Sequence, residues 1–524
     1  MKTRYAKLLC LFAVIFQMVP GALADVKLPA VFSDHMVLQR GVAVPVWGWA
    51  EKGEKVTVKF AGQEQTVTAG DDGTWRVKLA ALEAEKKPGV LTVSGKNTLT
   101  VKDVLVGDVW VCSGQSNMAF TVGGSVNARA EIAAAKSPAI RHFGVPRTMR
   151  TAPAADVPGR WSRCSPGTVS RFTAVGYFFG RRLHRELDVP IGLINSSWGG
   201  TRIEPWTPPE GFRAVPQLKA IAGQIARFDP RTEAGKTLWS GYVAKVKDWV
   251  PRAEGAVARG EGLPPLPPNP AARRRMGPAS LYNGMIHPLV PYAIRGAIWY
   301  QGEANGGEGE SYFHKMQALI RGWRAVWGQG DFPFYFVQLA NYRTSNPANA
   351  AGGDGWARVR EAQRKSLGIP HTGMAVIIDI GEARDIHPRN KQDVGDRLAR
   401  WALAGLFEKK LVPSGPLYKS HTVEGNKVRV AFDHVGAGLI VGEKKGLDPV
   451  REVKDGKLSW FSVAGADKTW HRAGAVIDGE AVLVSSPQVA KPVAVRYAYT
   501  MNPEGANLYN KDGLPASPFR TDDW

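Results

Sequence analysis

The residues best suited to chemistry stand where apolar, β-favouring runs stop at small polar turns. Val109–Cys112 leads into Ser113-Gly114-Gln115-Ser116-Asn117, which reads as a buried strand closing on a glycine-containing turn. The space beyond a strand's carboxyl end is where open α/β sheets bind ligands. A serine held there offers both a hydroxyl nucleophile and a peptide N–H to a developing oxyanion, although a serine before Asn is also a common helix N-cap. The pattern recurs. Ile191–Asn195 runs into Ser196-Ser197-Trp198-Gly199-Gly200-Thr201, and Ile294–Tyr300 into Gln301-Gly302-Glu303-Ala304-Asn305. Gly373–Ile378 runs into the segment from Asp379 through Asp385 to His387. Together these loops supply a hydroxyl, paired glycines, a primary amide and an Asp/His pair, which is the inventory of acyl transfer.

Each residue has a chemical and a plainer reading. Ser116 is the candidate nucleophile and His387 the candidate general base; a histidine before proline otherwise serves structure. Asp385 is the candidate orienting acid, with Glu382, Glu303 and Asp379 as competing carboxylates. Gly199 and Gly200 permit a backbone N–H to approach an oxyanion closely, or simply make a tight turn. Gln301 offers a side-chain N–H or a loop brace. Asn117, Glu303 and Arg202 read as braces, and Trp198, Trp206, Trp299 and Tyr300 as sugar platforms or core.

The motifs Ser-Gly-Gln-Ser-Asn-Met, Ser-Trp-Gly-Gly-Thr, Trp-Tyr-Gln-Gly-Glu and Asp-Ile-His-Pro occur in this order. Taken with Met36–Arg40, Val46–Trp49, Trp356–Gln363 and His387–Gln392, they resemble the sialate O-acetylesterase family of the SGNH (GDSL-like) hydrolases, from about Leu28 to Leu403. The resemblance implies a serine esterase that removes acetyl groups from sialic acid or related O-acetylated glycans; no cofactor is expected, and a basic, apolar leader points to export to the periplasm or medium. Ser116, His387 and Asp385 would be catalytic, and Ser116, Gly199, Gly200 and Gln301 would form the oxyanion hole. Gln301 stands where the broader group carries asparagine. Asp385 lies two residues before the histidine, where the broader group places its acid three before. Acetylxylan or another acetylated polysaccharide is the rival substrate, and a non-catalytic glycan-binding protein the rival function. No Gly-x-Ser-x-Gly elbow surrounds Ser116, which disfavours a lipase or peptidase.

The elements that must position these residues are legible in outline. After a basic, apolar leader ending at Ala22-Leu23-Ala24, read as a signal peptide over residues 1–24, short alternating runs such as Val56–Phe60 and Trp75–Leu79 predict an N-terminal β-sandwich over 25–103. Strands alternating with helical patterns then predict an α/β domain over 104–410, an SGNH-type parallel sheet flanked by helices. Val175–Leu187 and the segment around Val394, Leu398, Trp401 and Ala402 have helical spacing. An insertion at about 211–277 combines a helical stretch (Trp239, Val243, Val246) with the proline-rich run Leu263–Pro270. A β-rich C-terminal domain is expected over 411–524.

Composition narrows the partners. The 524-residue chain has a formal charge of +21, but its basic residues are scattered. The densest run, Arg273–Arg275, adjoins the proline-rich loop and accompanies no nucleic-acid motif, so no nucleic-acid partner is expected. No stretch after the leader is long and apolar enough for stable membrane insertion. No Cys/His cluster has zinc-ligand spacing, and no metal is expected. Cys112 and Cys164 either pair in an oxidising compartment or stand apart as buried thiols.

Overall fold

The computed structural model describes residues 25–271 and 276–524, so the leader at 1–24 and the arginines at 273–275 lie outside the described residues. Its organising element is one strand of 17 residues, Thr98–Gly114. The first half of this strand alternates in exposure and the second half, from Val104 on, is buried throughout. That change follows from its neighbours. The first half pairs antiparallel with Glu85–Ser94, on which Lys55–Phe60 and Gln63–Thr68 continue the sheet, leaving a solvated face. The second half lies in a parallel sheet covered on both faces, and such strands read as continuous apolar runs.

Across the parallel sheet the strands run Thr372–Ala375, Phe334–Val337, Gly296–Tyr300, Thr98–Gly114, Ile191–Ser197 and Ile140–Gly144, with Trp161–Arg163 added antiparallel at the edge. Alternate side chains of Gly296–Tyr300 serve opposite faces. Ile298 and Tyr300 join a core with Phe178, Phe179 and Leu398 from the packed helices Ala174–Leu187 and Lys391–Leu406. Ala297 and Trp299 join a second core with Trp323 and Val359 from helices Ser311–Trp327 and Gly355–Lys365. Both expected helices therefore form. Thr173 caps the first by accepting from the Gly176 N–H, and Asn390 caps the second by accepting from the Asp393 N–H.

The N-terminal region adds the two-stranded ribbon Val44–Trp49 with Thr74–Leu79. The junction expected between residues 103 and 104 falls inside the long strand, which is hydrogen-bonded to β-structure on one side and to the parallel sheet on the other. The segment expected as an insertion carries helices Lys219–Phe228 and Glu233–Ala258. After residue 411 the chain is β-structure, including the antiparallel sheet formed by Leu417–Glu424, Lys427–Asp433, Ala481–Ser485 and Gly474–Asp478. Cys112 and Cys164 are both buried and unpaired, which settles the open choice as separate thiols. Among the described residues no helix is long and apolar enough to cross a membrane.

Candidate active site

The loops singled out from sequence converge at the carboxyl ends of three adjacent strands. Gly114 ends the long strand at φ +136°, and a Cβ there would stand 2.1 Å from the Tyr300 carbonyl oxygen. Glycine is required because the two strands meet so closely, and the Gln115 N–H then donates to that same oxygen at 3.0 Å. The turn delivers Ser116 as the first residue of the short helix Ser116–Ala119. First-turn N–H groups have no partner within their own helix, so the Ser116 amide is available to an anion. The Trp198 N–H donates to the Gly114 carbonyl at 3.1 Å. This lays Gly199 directly on the serine, where a Cβ at residue 199 would approach the Ser116 Cβ to 3.2 Å. Gly200 follows at φ +73°, facing open space.

His387 reaches the serine from the far loop. Its Nε2 lies 2.9 Å from Ser116 Oγ, and its Nδ1 lies 3.2 Å from Asp385 Oδ1. The same Asp385 oxygen accepts the His387 backbone N–H at 2.9 Å. This is an Asx turn, in which a carboxylate bonds the N–H two residues on. It answers the spacing problem, because the segment is folded rather than extended. These bonds, the backbone one foremost, hold the Asp385 carboxyl below its ordinary range, so it is ionised at neutral pH. Phe120 lies against the imidazole face, its ring 6.5 Å away and tilted 24°.

The competing carboxylates are committed elsewhere. Asp379 is buried in a paired contact with Arg397 at 2.6 and 2.8 Å, and Glu382 accepts the Arg389 backbone N–H at 3.0 Å. Glu303 accepts from Asn117 Nδ2 at 2.5 Å, and burial pushes its carboxyl above the ordinary range.

Gln301 differs from its expected role. It is fully buried, its Nε2 donates to the Thr201 carbonyl at 3.1 Å and to Asn305 Oδ1 at 2.8 Å, and its Oε1 accepts from Tyr312 at 2.7 Å. An amide has two N–H donors, and both are engaged inside the protein. In this arrangement Gln301 braces the glycine loop instead of facing an oxyanion. Trp206 and Trp299 are core, packed edge-to-face at 6.2 Å, and Tyr300 is buried. Trp198 is partly buried against the same core. Arg202 pairs with Glu204 and Glu308, a brace as expected.

One residue escaped the reading altogether. Lys391 is completely buried beside Ser116, with Nζ donating to Asn117 Oδ1 at 2.5 Å. Its signal was a lysine at the first position of a helix, where the macrodipole favours anions.

The arrangement as a whole offers a hydroxyl bonded to an imidazole, an ionised carboxylate on the imidazole's other nitrogen, and a glycine turn packed on the serine. The proteins to which this chain is similar are carbohydrate esterases. The family model described as carbohydrate esterase, sialic acid-specific acetylesterase matches residues 106–229 and 273–404. The sialate O-acetylesterase of Rattus norvegicus is 33% identical, covering 98% of this chain and 97% of its own length. That of Mus musculus is 30% identical over 93% of this chain and 92% of its own. A solved carbohydrate acetylesterase from Xanthomonas citri superposes with a TM-score of 0.77 at 38% identity, covering 95% of this chain and 100% of that one.

Proposed function

Given that this chain belongs to the sialate O-acetylesterase family and is a carboxylic ester hydrolase acting on carbohydrate acetyl esters, we propose that it works through an acyl-enzyme formed on Ser116. His387 Nε2 takes the hydroxyl proton as Oγ attacks the acetyl carbonyl. The tetrahedral oxyanion is received by the Ser116 N–H and a backbone N–H from Gly199 or Gly200. The protonated imidazole, oriented and stabilised by ionised Asp385, then gives its proton to the sugar alkoxide as the C–O bond breaks. Water, deprotonated by His387, attacks the acetyl-enzyme; acetate leaves and the serine regains its proton. The observation that carries this reading is the continuous line from Ser116 Oγ through both imidazole nitrogens to Asp385, at 2.9 and 3.2 Å.

The substrate we favour is an O-acetylated sialic acid or a related acetylated glycan. The sheet is taken as an SGNH-type hydrolase domain over 104–410 with an insertion at about 211–277. It is flanked by an N-terminal β-sandwich at 25–103 and a β-rich domain at 411–524. Residues 1–24 are taken as a leader for export to the periplasm or medium. Acetate release from acetylated sialosides, acetylxylan and acetylated chitin-type sugars, measured for the wild type and Ser116→Ala, tests both substrate and mechanism. Ser116→Ala should lose several orders of magnitude in kcat. Full activity in that variant overturns the mechanism, and release confined to xylan overturns the substrate.

A further inference from the structure

We propose that Lys391, acting through Asn117 and opposed by Glu303, is a positioning residue for the esterase reaction that holds the His387 segment in line with Ser116. The inference rests on the assignment of Ser116 and His387 as nucleophile and base. Asn117 follows the nucleophile directly, and its amide meets three elements at once. Oδ1 accepts from Lys391 Nζ at 2.5 Å, while Nδ2 donates to Glu303 Oε1 at 2.5 Å and to the Ile386 carbonyl at 3.0 Å. Ile386 directly precedes His387. One side chain thus joins the neighbour of the nucleophile to the neighbour of the base.

The charge on Lys391 gives this joint its direction. An ammonium only donates, and the Ile386 carbonyl only accepts. Between them the Asn117 amide has a single orientation, with its oxygen to the lysine and its nitrogen to the histidine loop. Deprotonated, the amine donates only a weaker, uncharged bond to Oδ1 and Glu303 loses its counter-charge, so the joint loosens although the amide keeps its orientation. The surroundings also make the cation costly to keep. Lys391 lies at a helix N-terminus and is buried, a cost that the Phe120 and Tyr300 rings, 4.9 and 5.1 Å from its Nζ, offset only in part. Phe120, touched by the ammonium, is also the ring against the imidazole.

The groups that act on Lys391 are Glu303 from the loop after the Gly296–Tyr300 strand, and Asp385 and Glu382 from the histidine loop. Tyr300 supplies a ring face, and His387 lies close enough to act on Glu303. Burial outweighs the three carboxylates and brings Lys391 down to about 7 from 10.5. The amine therefore titrates in the range where the esterase is assayed, and activity should fall on the alkaline side as it loses its proton.

The test compares the wild type, Lys391→Met, Glu303→Gln and the double variant from about pH 6 to about pH 10. The rate at which a serine-directed phosphonate labels Ser116 is measured alongside kcat and KM for p-nitrophenyl acetate. Lys391→Met should lower labelling and kcat by about tenfold to a hundredfold, with KM nearly unchanged, and should abolish the alkaline fall. The double variant should recover part of that loss, because it removes the charge left unpaired. Folding is checked independently. Lys391 binds its proton less tightly folded than unfolded, so its contribution to wild-type stability rises with pH between about 7 and 10.5. Lys391→Met should accordingly be most stabilised relative to wild type below the lower value, and that advantage should fade toward the upper one. A wild-type labelling rate in Lys391→Met overturns the proposal, and so does a uniform loss that keeps the alkaline fall. Acetate release by Ser116→Ala would instead remove the assignment on which the proposal rests.

Discussion

Asp385 shows how little a side chain's spacing says until its turn is known. Two residues apart on an extended segment, a carboxylate and an imidazole share a side without being aligned. Folded as an Asx turn, one Asp385 oxygen holds both the peptide N–H and Nδ1 of His387. Asp385→Asn should therefore lower kcat by about tenfold to a hundredfold with KM little changed, since the carboxylate matters most when imidazolium forms. Steady-state kinetics decide it, and full activity would leave a Ser116–His387 dyad. Because Asp385 is held below the ordinary carboxylate range, it stays ionised as pH falls. Any loss of activity through the mildly acidic range is therefore not the titration of Asp385. Gln301 gives the contrasting outcome. With its polar atoms bonded internally, Gln301→Ala should destabilise the fold by about 2–4 kcal/mol. Denaturant titration should show that loss, with any fall in kcat tracking the unfolded fraction. The residue types of the site were readable from sequence. Which N–H groups of Gln301 were already taken was not, because partners come from segments distant in the chain.

At the scale of elements, the strand ends were the legible part. Continuous apolar runs broken by glycine predicted where Ser116, Gly199 and His387 would emerge, and helices form at Ala174–Leu187 and Lys391–Leu406 as their spacing implied. The meeting of Gly114 with Tyr300 was not legible, since glycine's need there comes from a neighbouring strand. Gly114→Ala combines positive φ with a Cβ 2.1 Å from a backbone oxygen. It should cost about 3 kcal/mol or more and displace the nucleophile. Activity and unfolding midpoint should fall together; an unchanged midpoint would show that the strands can part. The two cysteines offer a second check. Burial raises both thiols, Cys164 to about 11 and Cys112 further. Thiolate is the reactive form, so at pH 8 only about one Cys164 in a thousand is ionised. A thiol-disulfide reagent should label neither cysteine in the native protein and both after denaturation.

For the whole molecule, the decisive feature is that the Thr98–Gly114 strand belongs to two sheets. A division near residue 103 was the natural reading of a texture that changes from alternating to continuous burial. Texture changes because the strand's neighbours change, and no break in the chain is needed. Native-state hydrogen exchange should therefore find amides of Val101–Val106 and Val109–Cys112 opening with a common free energy. Independent opening of the first group would show that the two regions unfold separately. The shared strand also bears on how such a protein can be rearranged by descent. Modules joined by loops can be exchanged like cassettes, since a loop absorbs a residue gained or lost. Here no loop intervenes. One residue deleted between Thr98 and Val104 shifts the following backbone by about 3.3 Å and turns every side chain to the opposite face. Either the antiparallel half or the parallel half would have to abandon its register, and Ser116 moves with whichever half gives way. Recombination that replaces the N-terminal region while keeping the esterase should therefore join before Thr98 or carry the whole strand, so the ancestry of these 17 residues follows the nucleophile.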